Sequence, residues 1–346
     1  MARPAAEARV SSLPAARPTL PALDAIESAA AIVAAAMPPT PQYAWPLLAR
    51  RLGAAVWVKH ENHTPTGAFK VRGGLVYLDG LARTEPDCPG IVSATRGNHG
   101  QSLAFAARRV GIPATIVVPR GNSVEKNAAM RAFGAELIEH GEDFSESAEH
   151  ATHLAAARGL HRVPSFHPDL VRGVATYWLE LFRAVPGLDL AFVPIGLGSG
   201  LCGALAARAA LGLRDRLRIV GVVSAHARAY ALSIEAGRTV DAPVSTRLAD
   251  GMAVRVADPA ALAMMLGEVD EVVEVDDAEV ARAMKALYVD THNVSEGAGA
   301  ASLAAAMQWA HERPSGLAGQ RVGLTLCGAN VDHEVFAAVL RDTLLD

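Results

Sequence analysis

Two kinds of segment alternate along the chain. Short runs rich in β-branched and apolar residues are followed by longer, Ala-rich stretches whose apolar positions recur at helical spacing. The short runs predict strands at 55–60 ("AVWVKH"), 90–95 ("GIVSAT"), 114–119 ("ATIVVP") and 136–140 ("ELIEH"). Further runs predict strands at 190–195, 218–224, 271–275 and 322–327. Between them the pattern predicts helices near 98–110, 123–133, 144–158, 169–184, 201–212, 277–289, 296–312 and 332–344. Repeated strand–helix units imply an α/β fold, with parallel sheets and helices on both faces. In such sheets ligands bind beyond the carboxyl ends of strands, which directs attention to the loops after residues 95, 195 and 327. The uncharged stretch 190–207 is apolar enough to suggest a membrane span. It contains Pro194, four glycines and a serine, and therefore reads as a strand, a loop and a helix start.

Composition narrows the class. With 346 residues, 51% apolar and 20% charged, the chain can bury two domain cores or one large α/β core, and it is not disordered as a whole. A net charge of −4 gives no reason to expect nucleic acid or an anionic membrane as partner. The three cysteines, Cys88, Cys202 and Cys327, are widely spaced and form no CxxC. They read as free thiols or core residues in a reducing cytoplasm rather than as a disulfide framework or a zinc site. Residues 1–19 lack the apolar region of a signal peptide and read as a disordered tail, with a transit peptide as the rival reading.

Three loops and one lysine carry the chemistry. In "TGAFKVRGG", Lys70 follows the apolar Phe69 and precedes a pair of glycines. A buried ammonium costs several kcal/mol unless its charge is removed, and forming an imine with an aldehyde removes it. In "SATRGNHGQ" a strand ends in a polar turn with Gly97 and Gly100, and a helix follows. Free backbone N–H groups at a helix start favour an anion, and Asn98 adds an amide donor. An ordinary capped strand–helix turn explains this loop equally well. In "VPIGLGSGLCGALAAR", Gly196, Gly198 and Gly200 separate an apolar strand from an Ala-rich helix and suit a phosphate. The spacing is GxGxG rather than GxGxxG, and the next strand ends in Ser224 with no acid to hold a ribose, so a dinucleotide fits poorly. In "LTLCGANVDHE", Cys327 ends a strand where it can face a ligand. A lysine for an imine, a glycine loop for a phosphate and a small polar group for a ring nitrogen are the parts that pyridoxal phosphate needs.

With these motifs in order, the chain from about residue 20 to 346 resembles the fold-type II pyridoxal-phosphate enzymes, which share a tryptophan synthase β-like fold. Within them it is most similar to the threonine/serine dehydratase and serine racemase group. The resemblance implies a large cofactor-binding domain from 20–82 and 167–346 and a small domain from 83–166. "ENHTPTGAFKVRGG" resembles the family's lysine motif, which implies that Lys70 is the catalytic Schiff-base residue and that Phe69 flanks the cofactor. "TRGNHGQ" is similar to the asparagine loop, implying that Asn98 contacts the phenolic oxygen and that Thr95, Arg96, Gly97 and His99 form the substrate carboxylate turn. "GLGSGL" stands where the family has a run of four glycines, implying phosphate contacts from Gly196, Leu197, Gly198, Ser199, Gly200 and Leu201. "CGANVD" matches the segment whose first residue faces the pyridine nitrogen, here Cys327. "SEGAGA" resembles a segment that makes Glu296 a candidate behind the directly contacting residues.

The implied reaction is β-elimination of water from an L-β-hydroxy-α-amino acid of the threonine or serine type, phenylserine included, by a homodimer. The alternatives are a 3-hydroxyaspartate dehydratase, a pyridoxal-phosphate β-replacement enzyme and, from another class, a nicotinamide-dependent dehydrogenase. Three departures from the family bear on this. Arg96 stands where relatives carry serine or alanine, and a guanidinium cannot act as the second base of a racemase, so dehydration without racemisation is expected. "SAHARAY" (224–230) has no acid where the family's divalent-cation site lies, so no metal is expected. The sequence ends about where the catalytic domains end, so feedback control through a regulatory domain is not expected. The pocket for the β-substituent is expected from loops that include Tyr43, His63 and 226–252, with a structural role as the other reading of His63.

Overall fold

Every strand expected from the hydrophobic pattern is present in the computed structural model, which describes residues 19–313 and 316–344. The tail expected at the N-terminus lies, up to residue 18, outside the described residues. In chain order the strands are β1 (Gln42–Ala44), β2 (Ala55–His60), β3 (Ile91–Ala94), β4 (Ala114–Val118) and β5 (Glu136–Glu139). They continue with β6 (His161–Arg162), β7 (Leu190–Pro194), β8 (Arg218–Ser224), β9 (Glu271–Val275) and β10 (Arg321–Leu326).

They form two sheets. The larger has the order β1-β2-β10-β7-β8-β9 and the smaller β5-β4-β3-β6. All pairings are parallel except that of β1 with β2. Strand residues alternate between faces, as the two-residue period requires. Leu190, Phe192, Val220 and Val222 enter one core of the large sheet, while Ala191, Val193, Ile219 and Val223 enter the opposite core. The small sheet divides likewise, with Ile91, Ile116 and Val118 on one side and Val92, Ala94 and Val117 on the other. Each sheet is therefore covered on both faces, which explains why its strands read as continuous apolar runs.

The hydrophobic pattern misses β1 and β6, which are three and two residues long and too short to show a period. It also misses five helices: Leu23–Ala34, Pro46–Leu52, Lys70–Thr84, Ala229–Ala236 and Pro259–Met265. The most consequential of these begins at Lys70. Gly73 and Gly74 make its first turns look like a loop, yet both serve close packing. A Cβ on Gly74 would collide with the Ser102 hydroxyl, and one on Gly73 would lie 2.9 Å from the Leu170 carbonyl. The helix Lys70–Thr84 is thereby wedged between the helices Asn98–Val110 and Pro168–Ala184.

In the large sheet β10 lies between β2 and β7, so the carboxyl ends of these three strands emerge side by side. The loops 61–69, 195–198 and 327–330 leave from that edge. The loop after β3, the strand between β4 and β6, brings residues 95–98 from the other sheet to the same place.

Candidate active site

Backbone bonds join the lysine segment to the end of β10. The Phe69 N–H donates to the Cys327 carbonyl (3.0 Å) and the Ala329 N–H to the Gly67 carbonyl (2.9 Å). Lys70 then opens its helix, and the Ser102 hydroxyl donates to its carbonyl (2.6 Å). The Lys70 side chain enters a pocket also lined by Phe69, Asn98, Gly196, Leu197, Gly198, Ser199, Gly200, Glu296 and Cys327. Its Nζ lies 4.9 Å from the centre of the Phe69 ring. Among the described residues it has no hydrogen-bond or ion-pair partner. Burial lowers its pKa, opposed by the nearby Cys327 and Glu296. An amine held in that way is more often neutral and more nucleophilic than an exposed lysine.

Across the pocket, Gly198 has φ +104°, a left-handed conformation that favours glycine, and it caps the helix Ser199–Ala210. The backbone N–H groups of residues 196–201 have no protein acceptor among the described residues. They end at a helix start, where the dipole favours an anion. The loop is held from behind: the Trp178 indole donates to the Gly200 carbonyl (3.2 Å) and the Tyr230 hydroxyl to the Leu197 carbonyl (2.9 Å). The Leu201 side chain is fully buried in the core and does not line the pocket, so what it offers there is its backbone N–H.

The turn after β3 presents a second set of free donors. The Thr95 hydroxyl accepts from the Gly97 N–H (3.1 Å), while the N–H groups of Arg96, Asn98, His99 and Gly100 have no acceptor among the described residues. The Arg96 side chain is exposed and makes no ion pair among the described residues. His99 is held neutral by burial, which lowers its pKa to about 3, and its Nε2 has no hydrogen-bond partner among the described residues. Asn98 is tightly placed: its carbonyl accepts from Asn330 (2.8 Å) and its amide donates to the Glu296 carboxylate (2.5 Å). One amide N–H of Asn98 remains. Burial pushes the Cys327 thiol pKa up, so the thiol is neutral, and it donates to the Ala298 carbonyl (3.5 Å).

Two further expectations are corrected. Tyr43 is exposed, and His63 is exposed with its Nε2 bonded to Asn293 (2.9 Å), so neither lines the pocket. The 226–252 region does contribute, through Gly251 and Met252. No role falls in the sequence reading to Pro194 and Ala298, which complete the wall, or to Lys126 and Asn330, which support it together with Asp250. Asn330 sits inside the quoted "CGANVD" segment and was open to discovery. Lys126, in "SVEKNAAM", looks like any solvated helix lysine.

These features fit a phosphate-bearing aldehyde. A partnerless amine lies on one side, a row of free N–H groups with no carboxylate among them on the other, and an aromatic ring flanks the space. The family model described as pyridoxal-phosphate dependent enzyme matches residues 33–328. An L-threonine ammonia-lyase of Geobacter sulfurreducens is 36% identical over 296 residues, covering 85% of this chain and 72% of the relative. A biosynthetic L-threonine dehydratase of Salmonella typhimurium is 33% identical over 85% of this chain, which spans 56% of that relative's length. An L-threo-3-hydroxyaspartate ammonia-lyase of Saccharomyces cerevisiae is 32% identical over 87% of this chain and 90% of its own. Among solved structures, the processed threonine deaminase isoform 2 of Solanum lycopersicum superposes with a TM-score of 0.84 at 25% identity, over 99% of both chains. The nicotinamide alternative falls with these matches, and the chain belongs to the pyridoxal-phosphate dependent enzymes, in the fold-type II group of the threonine/serine dehydratases.

Proposed function

We propose that the chain removes water from an L-β-hydroxy-α-amino acid of the threonine or serine type, giving a 2-oxo acid and ammonia. The observation that carries this reading is Lys70, a desolvated amine without a partner among the described residues, facing a row of free backbone N–H groups across one pocket. Pyridoxal phosphate, when bound, supplies an aldehyde for an amine and an electron sink for charge left on the α-carbon. The N–H groups of residues 196–201 would hold its phosphate, Phe69 would flank its ring, and the remaining N–H of Asn98 would serve its phenolic oxygen. The neutral Cys327 thiol would face the ring nitrogen, where it cannot balance a full positive charge. That weakens the electron sink and favours prompt loss of the β-hydroxyl over a long-lived carbanion.

The free N–H groups of the 95–99 turn would bind the substrate carboxylate and fix the α-carbon beside Lys70. As a free amine, Lys70 takes the α-proton. The C–H electron pair becomes the Cα–Cβ double bond as the C–O bond breaks, and the hydroxyl leaves as water with the proton that Lys70 took up. The released enamine is hydrolysed to the 2-oxo acid and ammonia.

A second reading, 3-hydroxyaspartate as substrate, is favoured by Arg96, an exposed cation without an ion pair at the substrate turn. The test is a panel of L-threonine, L-serine, L-threo-3-hydroxyaspartate and phenylserine assayed for 2-oxo acid, with D-amino acid followed in deuterated water. Release from threonine or serine without D-enantiomer supports the first reading. Preference for hydroxyaspartate, lost in Arg96→Ala, supports the second. No release from any substrate overturns both.

The two sheets support the division into a large domain (20–82 and 167–346) and a small one (83–166). A homodimer is supported by exposed Tyr43 on the edge strand β1 and by exposed Leu47 and Val289 on the helices Pro46–Leu52 and Asp277–Thr291, which pack together. We place the reaction in the cytoplasm, in keeping with the three free thiols. No helix among the described residues is long and apolar enough to cross a membrane.

A further inference from the structure

Glu296 is nearly fully buried (3% exposed) and lines the same pocket as Lys70. Its Oε1 accepts from the Asn98 amide (2.5 Å), but its buried Oε2 has no hydrogen-bond partner. The nearest cation to that oxygen is the Lys126 ammonium at 3.7 Å, which is itself bonded to Asp250 at 2.7 Å. Desolvating a carboxylate oxygen without a donor is costly, so this one is unusual unless a ligand supplies the donor. The reaction contains such a donor. An amino acid arrives at neutral pH as an ammonium, and its nitrogen has no lone pair until a proton is lost.

We propose that Glu296 Oε2 takes the proton that the incoming α-ammonium must lose before its nitrogen can displace Lys70. The N–H bond breaks, its electron pair stays on nitrogen, and the carboxylate becomes a carboxylic acid. The proposal rests on the reading of Lys70 and its cofactor given above.

The surroundings suit the task. Burial raises the Glu296 pKa to about 7, the charge of Asp250 adds to this, and Lys126, the Asn98 hydrogen bond and Lys70 oppose it. A base is most effective when its pKa lies near the working pH. The groups facing it are Lys126 from the helix Val124–Ala132, Asp250 from the short helix Asp250–Met252, Lys70 and Asn98 from the starts of their helices, and the neutral Cys327 after β10. Lys126 comes from the small-sheet side and Glu296 from the large, so the acidity of this base depends on how the two sheets meet.

The experiment compares wild type with Glu296→Gln and Lys126→Met, each as the cofactor-loaded full chain. For Glu296→Gln, kcat/KM is expected to fall about 100-fold at pH 7. The deficit should shrink about tenfold per pH unit above that, as the substrate amine deprotonates in solution. A deficit constant across pH would overturn the proposal, since that is what a purely structural role predicts. Lys126→Met should move the acid limb of the wild-type profile to higher pH, and an unmoved limb would also overturn it. This arm stands even if Glu296→Gln does not fold. Infrared spectra of the loaded enzyme without substrate should show a protonated-carboxyl stretch that titrates near neutrality and is lost in Glu296→Gln. Absence of that band from wild type counts against the proposal. Borohydride reduction and peptide mapping, which locate the lysine independently, separate a failure here from a failure of the Lys70 reading.

Discussion

Two lysines eleven residues apart, Lys59 buried and Lys70 half-buried, have opposite fates. Lys59, on β2, is fully buried, and its ammonium donates to the Thr40 carbonyl (2.7 Å) and to Glu180 (2.6 Å). Around it, Arg72 forks onto Glu61 (2.8 Å) and Glu180 (2.7 Å), closing a network of two cations and two carboxylates. Lys70, at the start of a helix, has no such partner. Burial lowers the pKa of both and neighbouring acidic groups oppose the shift at both, but at Lys59 one of them, Glu180, also accepts a hydrogen bond. Burial with partners gives a structural ion, which is costly to break and chemically silent. Burial without partners leaves an amine whose charge is the expensive state, and such an amine is poised to react. Residue type alone does not tell the two apart.

The largest effect expected from breaking this contrast is at Lys70. Lys70→Ala should lower turnover by at least about 10⁴-fold, since nucleophile and base are lost together. Thermal melting of the cofactor-free protein should be unchanged or slightly improved. A melting temperature that falls as far as activity would make Lys70 a structural residue like Lys59.

The reciprocal change is Lys59→Met. It should cost about 3 kcal/mol of stability in urea unfolding, because Glu180 and Glu61 are left with one cation between them. Borohydride labelling of the folded fraction should still fall on Lys70. Labelling that moves elsewhere would undo the distinction.

Gly198→Val tests the opposite side of the pocket. A β-branched residue there must adopt a left-handed φ, and its Cβ would lie 2.7 Å from Ala261. A penalty of about 2 kcal/mol predicts roughly 30-fold weaker cofactor binding, measured by equilibrium dialysis. Unchanged affinity would remove residues 196–201 from the phosphate site.

The smallest effect sharpens the comparison through pH. In the cofactor-free protein the folded pKa of Lys70 lies below its ordinary value of 10.5. In the window between the two values the unfolded chain holds the extra proton, so stability should rise with pH up to about 10.5. Lys70→Met should flatten that slope in urea titrations at successive pH values. A slope that survives the substitution would assign it to another group.

The fold class and the three chemical loops were legible because each depends on local pattern. β-branched runs and Ala-rich stretches declare strands and helices, and glycines beside strand ends mark the turns. The helix Lys70–Thr84 was not legible, because Gly73 and Gly74 look like loop residues until Ser102 and Leu170 are seen pressed against them. The GLGSGL segment does not reveal that the Leu201 side chain turns into the core and leaves its backbone N–H for the pocket. Lys126 and Asp250 were invisible as partners, since 124 positions separate them and neither sits in a recognisable motif.

The sequence by itself determined the alternation of strands and helices, and with it a parallel α/β fold with ligand loops at the strands' carboxyl ends. It also determined which residue types stand in those loops. Only the tertiary structure decided which lysine is left without a partner and which carboxylate oxygen is left without a donor. Propensity and periodicity act over a few residues and can be read along the chain. Desolvation and charge pairing act through space, between residues such as Lys126 and Glu296, and they exist only once two sheets have been brought together.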